Sequence, residues 1–470
     1  MLPARLNRRR DRLSEAPRAP IEDAIPIWFV SPENWEDVRS RLGAGAERFA
    51  AACGFEPKPG RLQVLPNAEG GLAGVLFGDS SADGDRLGAG KLATQLPGGL
   101  YAFANAPRDP TLAALAFQLG LYRFERYKTA AGGRPRLTPP SGIDFDEAAR
   151  IATAIARGRD LVNTPANDLG PEALEQEAAR LAASFGATLD IIRGDDLLAR
   201  NFPLIHAVGV AAAEPPRLVD FQWGRSDAPK VTLVGKGVVF DTGGLDIKPP
   251  SGMEIMKKDM GGAATALTLA RLVMEAGIDV RLRVLIPIVE NAISARAMRP
   301  GDIIRSRKGL TVEIGNTDAE GRLILADALA LAAEDAPDLL FDFATLTGAA
   351  RVALGPDLPP FYTDDEALAA DIARHAHKES DPVWRLPLWR AYDAMLDSPI
   401  ADLNNAPAGG FAGSITAALF LRRFVAGVKS WAHFDVYAWN PKPRAHGSQG
   451  GEIQTARALY AMLKQRFAKR

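Results

Sequence analysis

Asn316-Thr317-Asp318-Ala319-Glu320-Gly321-Arg322-Leu323 runs straight into an apolar stretch with helical spacing, Leu323 to Glu334. Asp318 and Glu320 stand two residues apart, so an extended backbone turns both carboxylates to one side, and Arg322 follows on that side. Paired carboxylates and a guanidinium at the start of a helix suit a divalent cation together with an anionic reaction partner. The same octapeptide also reads as a polar helix cap, with Thr317 or Asp318 capping and Glu320 in the first turn. A second segment upstream weighs against that plainer reading.

Upstream lies Val234-Gly235-Lys236-Gly237-Val238-Val239-Phe240-Asp241-Thr242-Gly243-Gly244-Leu245-Asp246-Ile247-Lys248, then Met256-Lys257-Lys258-Asp259-Met260-Gly261-Gly262-Ala263. Glycine-rich turns allow a backbone to approach a ligand closely. Asp241, Asp259, Asp318 and Glu320 together are candidate hard oxygen ligands. Asp246 is the weaker candidate, recommended only by its position. Four crowded carboxylates repel one another unless cations neutralise them, and two divalent ions balance four such charges. Gly-rich acidic loops also occur as ordinary turns, so this pattern alone leaves both readings open.

With both segments in place, the chain resembles the leucyl aminopeptidase family, the cytosolic, two-metal, hexameric type. The octapeptide matches the family's signature, and Lys236, Asp241, Lys248 and Asp259 fall at its ligand and catalytic spacings. Further matches are Arg159-Asp160-Leu161-Val162-Asn163-Thr164-Pro165-Ala166-Asn167-Asp168-Leu169, Arg299-Pro300-Gly301-Asp302, Ala344-Thr345-Leu346-Thr347-Gly348-Ala349 and Ala432-His433-Phe434-Asp435. They follow in the family's order from about residue 121 to about residue 435.

The resemblance implies a metallo-exopeptidase that releases N-terminal amino acids from short peptides. It implies two divalent ions, Zn or Mn first and Mg or Co next, held by Lys236, Asp241, Asp259, Asp318 and Glu320. Their separation in two-metal sites is on the order of 3.5–4 Å. Lys236 would ligate as a neutral amine, which a nearby dication favours. Lys248 would stay an ammonium facing the developing oxyanion, and Arg322 would hold a bicarbonate serving as general base. An ion pair of Arg322 with Asp318 or Glu320 is the ordinary alternative. The substrate pocket is implied at Met256, Asn316, Ala319, Thr345, Gly348 and Tyr437. Family members read His-hydrophobic-Asp-Ile-Ala-Gly where this chain has His433-Phe434-Asp435-Val436-Tyr437-Ala438-Trp439. The glycine-rich ending is also replaced, by Gly447-Ser448-Gln449-Gly450-Gly451-Glu452. Tyr437 in place of alanine adds a ring to the floor of the first-residue pocket, unless it turns into a neighbouring core.

Bulk properties agree with a globular enzyme. Hydrophobic residues make up 47% and charged ones 24%, enough to build a full core. The formal net charge of −1 gives no electrostatic footprint for nucleic acid or a membrane surface. The single cysteine, Cys53, excludes an intramolecular disulfide, fits a reducing compartment and reads as a small buried hydrophobe. No apolar run reaches the roughly 18 residues of a membrane span. Met1 to Arg12 is arginine-rich without an apolar segment and reads as a disordered basic tail.

Periodicity divides the chain into a smaller α/β domain over 1–140, a linker helix over 141–165 and a catalytic domain over 166–470. In the first, 24–30 and 72–77 read as strands, and 35–53 and 112–128 as helices. Thr129 to Ser141 reads as a linker, and 144–164 as a helix. Beyond it, strands are expected at 188–192, 206–209, 218–223, 230–235, 281–287, 339–344 and 431–436. Helices are expected at 171–184, 263–276, 323–333, 366–378 and 415–426. That alternation predicts a mixed, mostly parallel sheet covered by helices, with ligands at the carboxyl ends of its strands.

Gly235-Lys236-Gly237 and Gly90-Lys91-Leu92 lack the Ser/Thr of a phosphate-binding loop. Among five histidines, His375 and His377 are expected to be solvated and His433 to sit in a core beside Trp431. None of the five, His206 and His446 included, is placed as a ligand. Two other classes remain open from the residues: a different two-metal hydrolase, and a scaffold or DNA-binding relative of the same fold.

Overall fold

A computed structural model of the chain describes residues 23–79, 84–129, 132–407 and 409–468. The basic tail Met1 to Arg12 lies outside the described residues. The chain forms two compact units, one running to Ala156 and taking in Lys442–Gln449, the other comprising Arg157–Pro441 and the residues from Gly450. The division falls inside the helix Phe145–Asn163.

The first unit has a five-stranded sheet in the order Leu62–Pro66, Leu72–Gly78, Ile25–Val30, Gly99–Phe103, Pro135–Leu137. Only the Leu62–Pro66 strand is antiparallel to its neighbour. Four expectations fail here. The helix read over 35–53 is two, Trp35–Arg41 and Ala44–Ala52, because Leu42 and Gly43 are both extended. Glycine's poor helix propensity favours the break at that point. The helix read over 112–128 is Pro110–Gly120; Pro110 suits a first turn, and the Asp109 carboxylate accepts from Leu112 N. The presumed linker 129–141 contributes the edge strand Pro135–Leu137, where a leading proline is tolerated. Cys53, expected in a core, is exposed.

The second unit is built on a nine-stranded mixed sheet. Its order is Trp384–Arg385, Pro360–Tyr362, Trp431–Asp435, Leu339–Ala344, Lys230–Gly235, Arg281–Asn291, Arg217–Trp223, Thr188–Arg193, and Gly237–Asp241 pairs with the far end of Arg281–Asn291. The centre is parallel: Leu339–Ala344 runs alongside both Trp431–Asp435 and Lys230–Gly235. Antiparallel pairs lie to either side. Helices Gly261–Glu275 and Glu320–Glu334 are buried along nearly their whole length. Leu323, Leu325 and Leu329 of the latter join Val234, Leu285 and Leu340 of the sheet in one core.

The run 206–209, expected as a strand, belongs to the helix Pro203–Gly209. Its first free amides, Leu204 N and Ile205 N, donate to the Asp327 carboxylate at 2.8 and 3.3 Å. That cap comes from far along the chain, so the local sequence carries no sign of it.

The altered C-terminal segment is fixed by a buried ion pair. Arg159 Nε and Nη2 donate to Glu452 Oε1 and Oε2, each at 2.9 Å, and Asn440 Nδ2 and Ile453 N also donate to Glu452. Glu452→Ala takes that carboxylate from the buried guanidinium, and is expected to cost roughly 3–5 kcal/mol. Urea unfolding checks this; a midpoint equal to the parent's would contradict it.

Candidate active site

Most of the candidates stand at the end of a strand or near the start of a helix, while Lys248 and Asp318 lie in the loops between. Lys236 directly follows Lys230–Gly235, Asp241 ends Gly237–Asp241, and Thr345 follows Leu339–Ala344. Asp259 lies in the short 3-10 helix Met256–Met260, and Glu320 is the first residue of Glu320–Glu334. The fold therefore converges these groups at the carboxyl ends of neighbouring parallel strands.

Asp241, Asp259 and Glu320 are almost fully buried, and each offers an oxygen within 4.8 Å of the others. Lys236 Nζ lies between Asp259 Oδ2, at 2.7 Å, and Glu320 Oε1, at 2.9 Å, and donates to Thr345 O at 3.0 Å. Gly321 makes room for it: a Cβ there would stand 2.6 Å from Lys236 Cε. Lys248 Nζ pairs with Asp241 Oδ2 at 2.8 Å and with Asp318. Gly243, at φ +89°, forms the turn that returns Lys248 to Asp241, and a Cβ there would meet Asp246 O at 2.5 Å.

Four carboxylates thus face two ammonium groups, and the cluster is short of positive charge. Burial first, then Asp241, pushes the Glu320 carboxyl up to about 8 against the pull of Lys236. Burial and Asp241 likewise raise Asp318 to about 6. Burial opposes the charge on Lys236, yet Asp259, Glu320 and Asp241 outweigh it and raise its pKa. Burial opposes the Lys248 ammonium too, and Asp241 and Asp318 again prevail. Asp259 Oδ2, Asp318 Oδ1 and Glu320 Oε1 touch lysines at ion-pair distance, but no hydrogen bond is aligned on any of them. Buried carboxylate oxygens without aligned donors, in a cluster lacking cationic charge, fit hard divalent ions.

A layer of polar groups aims these ligands. Asn291 Nδ2 and Gly243 N donate to Asp241 Oδ1 at 2.8 and 2.9 Å. Thr345 Oγ1 donates to Asp259 Oδ1 at 2.8 Å, and Asn316 Oδ1 accepts from Asp318 N at 2.7 Å. Asp246 is a clasp between loops: its Oδ2 accepts from Thr317 N, while Thr317 Oγ1 accepts from Asp246 N. Asn405 Oδ1 accepts from Gly315 N and Asn316 N, and Asn405 Nδ2 donates to Asn316 O and, at 3.4 Å, to Ala319 O. Sequence reasoning missed Asn291 and Asn405, which act across long sequence separations.

Arg322 does not make the ion pair offered as its ordinary alternative. Its Nη1 donates to Asn405 O at 2.7 Å, while its buried Nε has no partner. Burial lowers its pKa to about 10, so it stays a guanidinium at neutral pH.

Among the remaining pocket candidates, Met256 is half-buried and Gly348 is exposed at the start of the helix Gly348–Leu354. The Tyr437 ring has Lys258 Nζ 5.1 Å and the Arg351 guanidinium 4.5 Å from its centroid. Of the histidines, His433 is buried as expected and shares the Asp342 carboxylate with Trp431 Nε1. His375, expected to be solvated, is buried, with its Nε2 2.8 Å from Gln465 Oε1. It faces the C-terminal helix Ala456–Arg466, which the sequence reading did not anticipate.

The family model described as "Cytosol aminopeptidase family, catalytic domain" matches residues 156–460, and "M17 aminopeptidase, N-terminal domain" matches residues 25–140. The chain is 41% identical over 364 residues to a "Probable cytosol aminopeptidase" of Roseiflexus castenholzii, covering 74% of each. It is 37% identical over 483 residues to one of Nocardia farcinica, covering 95% of each. Among solved structures it resembles the cytosol aminopeptidase from Coxiella burnetii, with TM-score 0.91, 44% identity, and coverage of 96% of this chain and 98% of that one. It also resembles the bottromycin maturation enzyme BotP in complex with Mn, with TM-score 0.84, 32% identity, and coverage of 94% and 99%.

Proposed function

Because the chain belongs to the cytosol aminopeptidase family, we propose that it releases N-terminal residues from short peptides at a centre of two divalent ions with bicarbonate as base. It is a metallo-aminopeptidase of the leucyl type. The observation that carries the finer reading is the buried cluster of Asp241, Asp259 and Glu320, with the half-buried Asp318 beside it, four carboxylates facing only two ammonium groups.

Asp241, Asp259, Asp318 and Glu320 would hold the ions, with Lys236 joining them only as the neutral amine, its proton given up as the cations bind. Divalent ions bound there polarise the scissile carbonyl and make a water nucleophilic near neutral pH. Lys248 retains its proton between Asp241 and Asp318 and offers positive charge to the developing oxyanion. Arg322, with a buried N–H free, suits a bound anion such as bicarbonate, which would take a proton where no histidine serves. Asn291, Thr345 and Asn405 keep these groups aimed and move no proton. Mn is the first metal to test, since BotP was solved with it, followed by Zn, Mg and Co. A cytoplasmic homohexamer is part of this proposal, on the family resemblance alone, and sedimentation measures the assembly.

The test is turnover of amino-acid anilides beside phosphate esters, with and without chelator. Chelator-sensitive hydrolysis of the anilides alone is expected; hydrolysis of phosphate esters alone would point to another two-metal hydrolase.

Tyr437 gives a narrower expectation. Its half-buried ring lies against two cationic side chains. Tyr437→Ala should raise the leucyl-to-alanyl ratio of kcat/KM by at least about tenfold, the order of one or more pocket methylenes. Equal ratios in parent and variant would remove Tyr437 from the pocket.

A further inference from the structure

Lys258 has no role in the chemistry above, and its surroundings are unusual. The residue is 2% exposed, yet among the described residues its ammonium donates no hydrogen bond and joins no ion pair. Its contact is the Tyr437 ring, at 5.1 Å. Burial pulls the Lys258 pKa down to about 8, and Asp259 and Asp435 support the ammonium only from beyond pairing distance, so a further anion in contact would stabilise it.

Arg351 stands over the same ring at 4.5 Å. Its Nη1 donates to Thr347 O at 3.2 Å, and it forms no ion pair among the described residues. Its Nη2 lies 3.7 Å from where a Cβ on Gly348 would be, so the guanidinium reaches two of the residues assigned to the first-residue pocket, Gly348 and Tyr437. Arg351 and Tyr437 line a cleft together with Thr347, Pro356 and Asp435.

The nearby carboxylates do not neutralise these cations by direct pairing. Asp435 Oδ1 accepts from Leu346 N and Thr347 N, and its Oδ2 accepts from Thr347 Oγ1 and Ser414 Oγ. Asp259 is engaged by Lys236 and Thr345. Two cations are left around Tyr437 with donors to spare, beside the position that receives the substrate's first side chain.

We propose that this subsite takes a carboxylate, bound by Lys258 and Arg351, so that the enzyme releases N-terminal aspartyl and glutamyl residues in preference to their amides. The proposal rests on the aminopeptidase reading and on the pocket positions it assigns. An acid and its amide share one shape and differ in charge, so charge alone decides between them here.

The test compares kcat/KM of the metal-loaded full chain on Asp-Ala against Asn-Ala, Glu-Ala against Gln-Ala, and on Ala-Ala and Leu-Ala. The acid is expected to exceed its amide by at least about tenfold in at least one pair. Lys258→Met and Arg351→Gln should each lower that ratio about tenfold. Turnover of Ala-Ala with acid and amide treated alike overturns the proposal and leaves the aminopeptidase reading standing. No hydrolysis of any dipeptide overturns both. A parent preference unchanged in both folded variants removes Lys258 and Arg351 from the subsite. Should either variant fail to fold, the parent's acid-to-amide ratio still decides.

Discussion

Glu320→Ala is expected to abolish peptide hydrolysis and to lower the metal held by each chain below two ions. Glu320 offers an oxygen within 4.8 Å of those of Asp241 and Asp259, and it is proposed, with Asp241, to serve both metal positions. Burial and the neighbouring acids raise its pKa to about 8, so its charge is maintained only where cations compensate it. Alanine at the start of a long, buried helix is well tolerated by the backbone, so the loss should appear in metal content rather than in folding. Elemental analysis beside turnover decides: two ions retained with near-normal turnover would make the assignment wrong.

Lys248→Ala separates chemistry from metal binding. The lysine touches Asp241 and Asp318 and is not among the proposed ligands, so the ions should remain. Loss of one oxyanion donor lowers kcat by about 10²–10³. Arg322→Ala should instead make turnover depend on added bicarbonate or remove it altogether. Normal kcat in both variants would refute the two roles.

The segments that carry chemistry were legible because they are local. Asp318 and Glu320 are two residues apart, and the apolar spacing after Leu323 announces the helix that Glu320 begins. The central parallel strands were equally plain, since Lys230–Gly235 and Leu339–Ala344 are mostly apolar, each interrupted inside by one polar residue, Thr232 and Asp342. What stayed hidden depends on partners far away in sequence. Asn291 and Asn405 are ordinary residues until folding brings them against Asp241 and Asn316. The helix Pro203–Gly209 looked like a strand because its cap is Asp327. Lys258 did leave a signal, a charged residue in a stretch whose next residues are buried, but only the Tyr437 and Arg351 contacts give it meaning.

The most direct test of the metal-centre account follows bound metal and peptidase turnover in the same preparation. The full chain is stripped with chelator and reloaded stepwise with Mn, and leucyl and alanyl dipeptide hydrolysis is assayed at each step. Turnover should vanish on stripping and return as the chain fills to two ions, with the Glu320→Ala protein failing to recover. Full turnover in the stripped protein, or recovery by Glu320→Ala with two ions bound, would contradict the account.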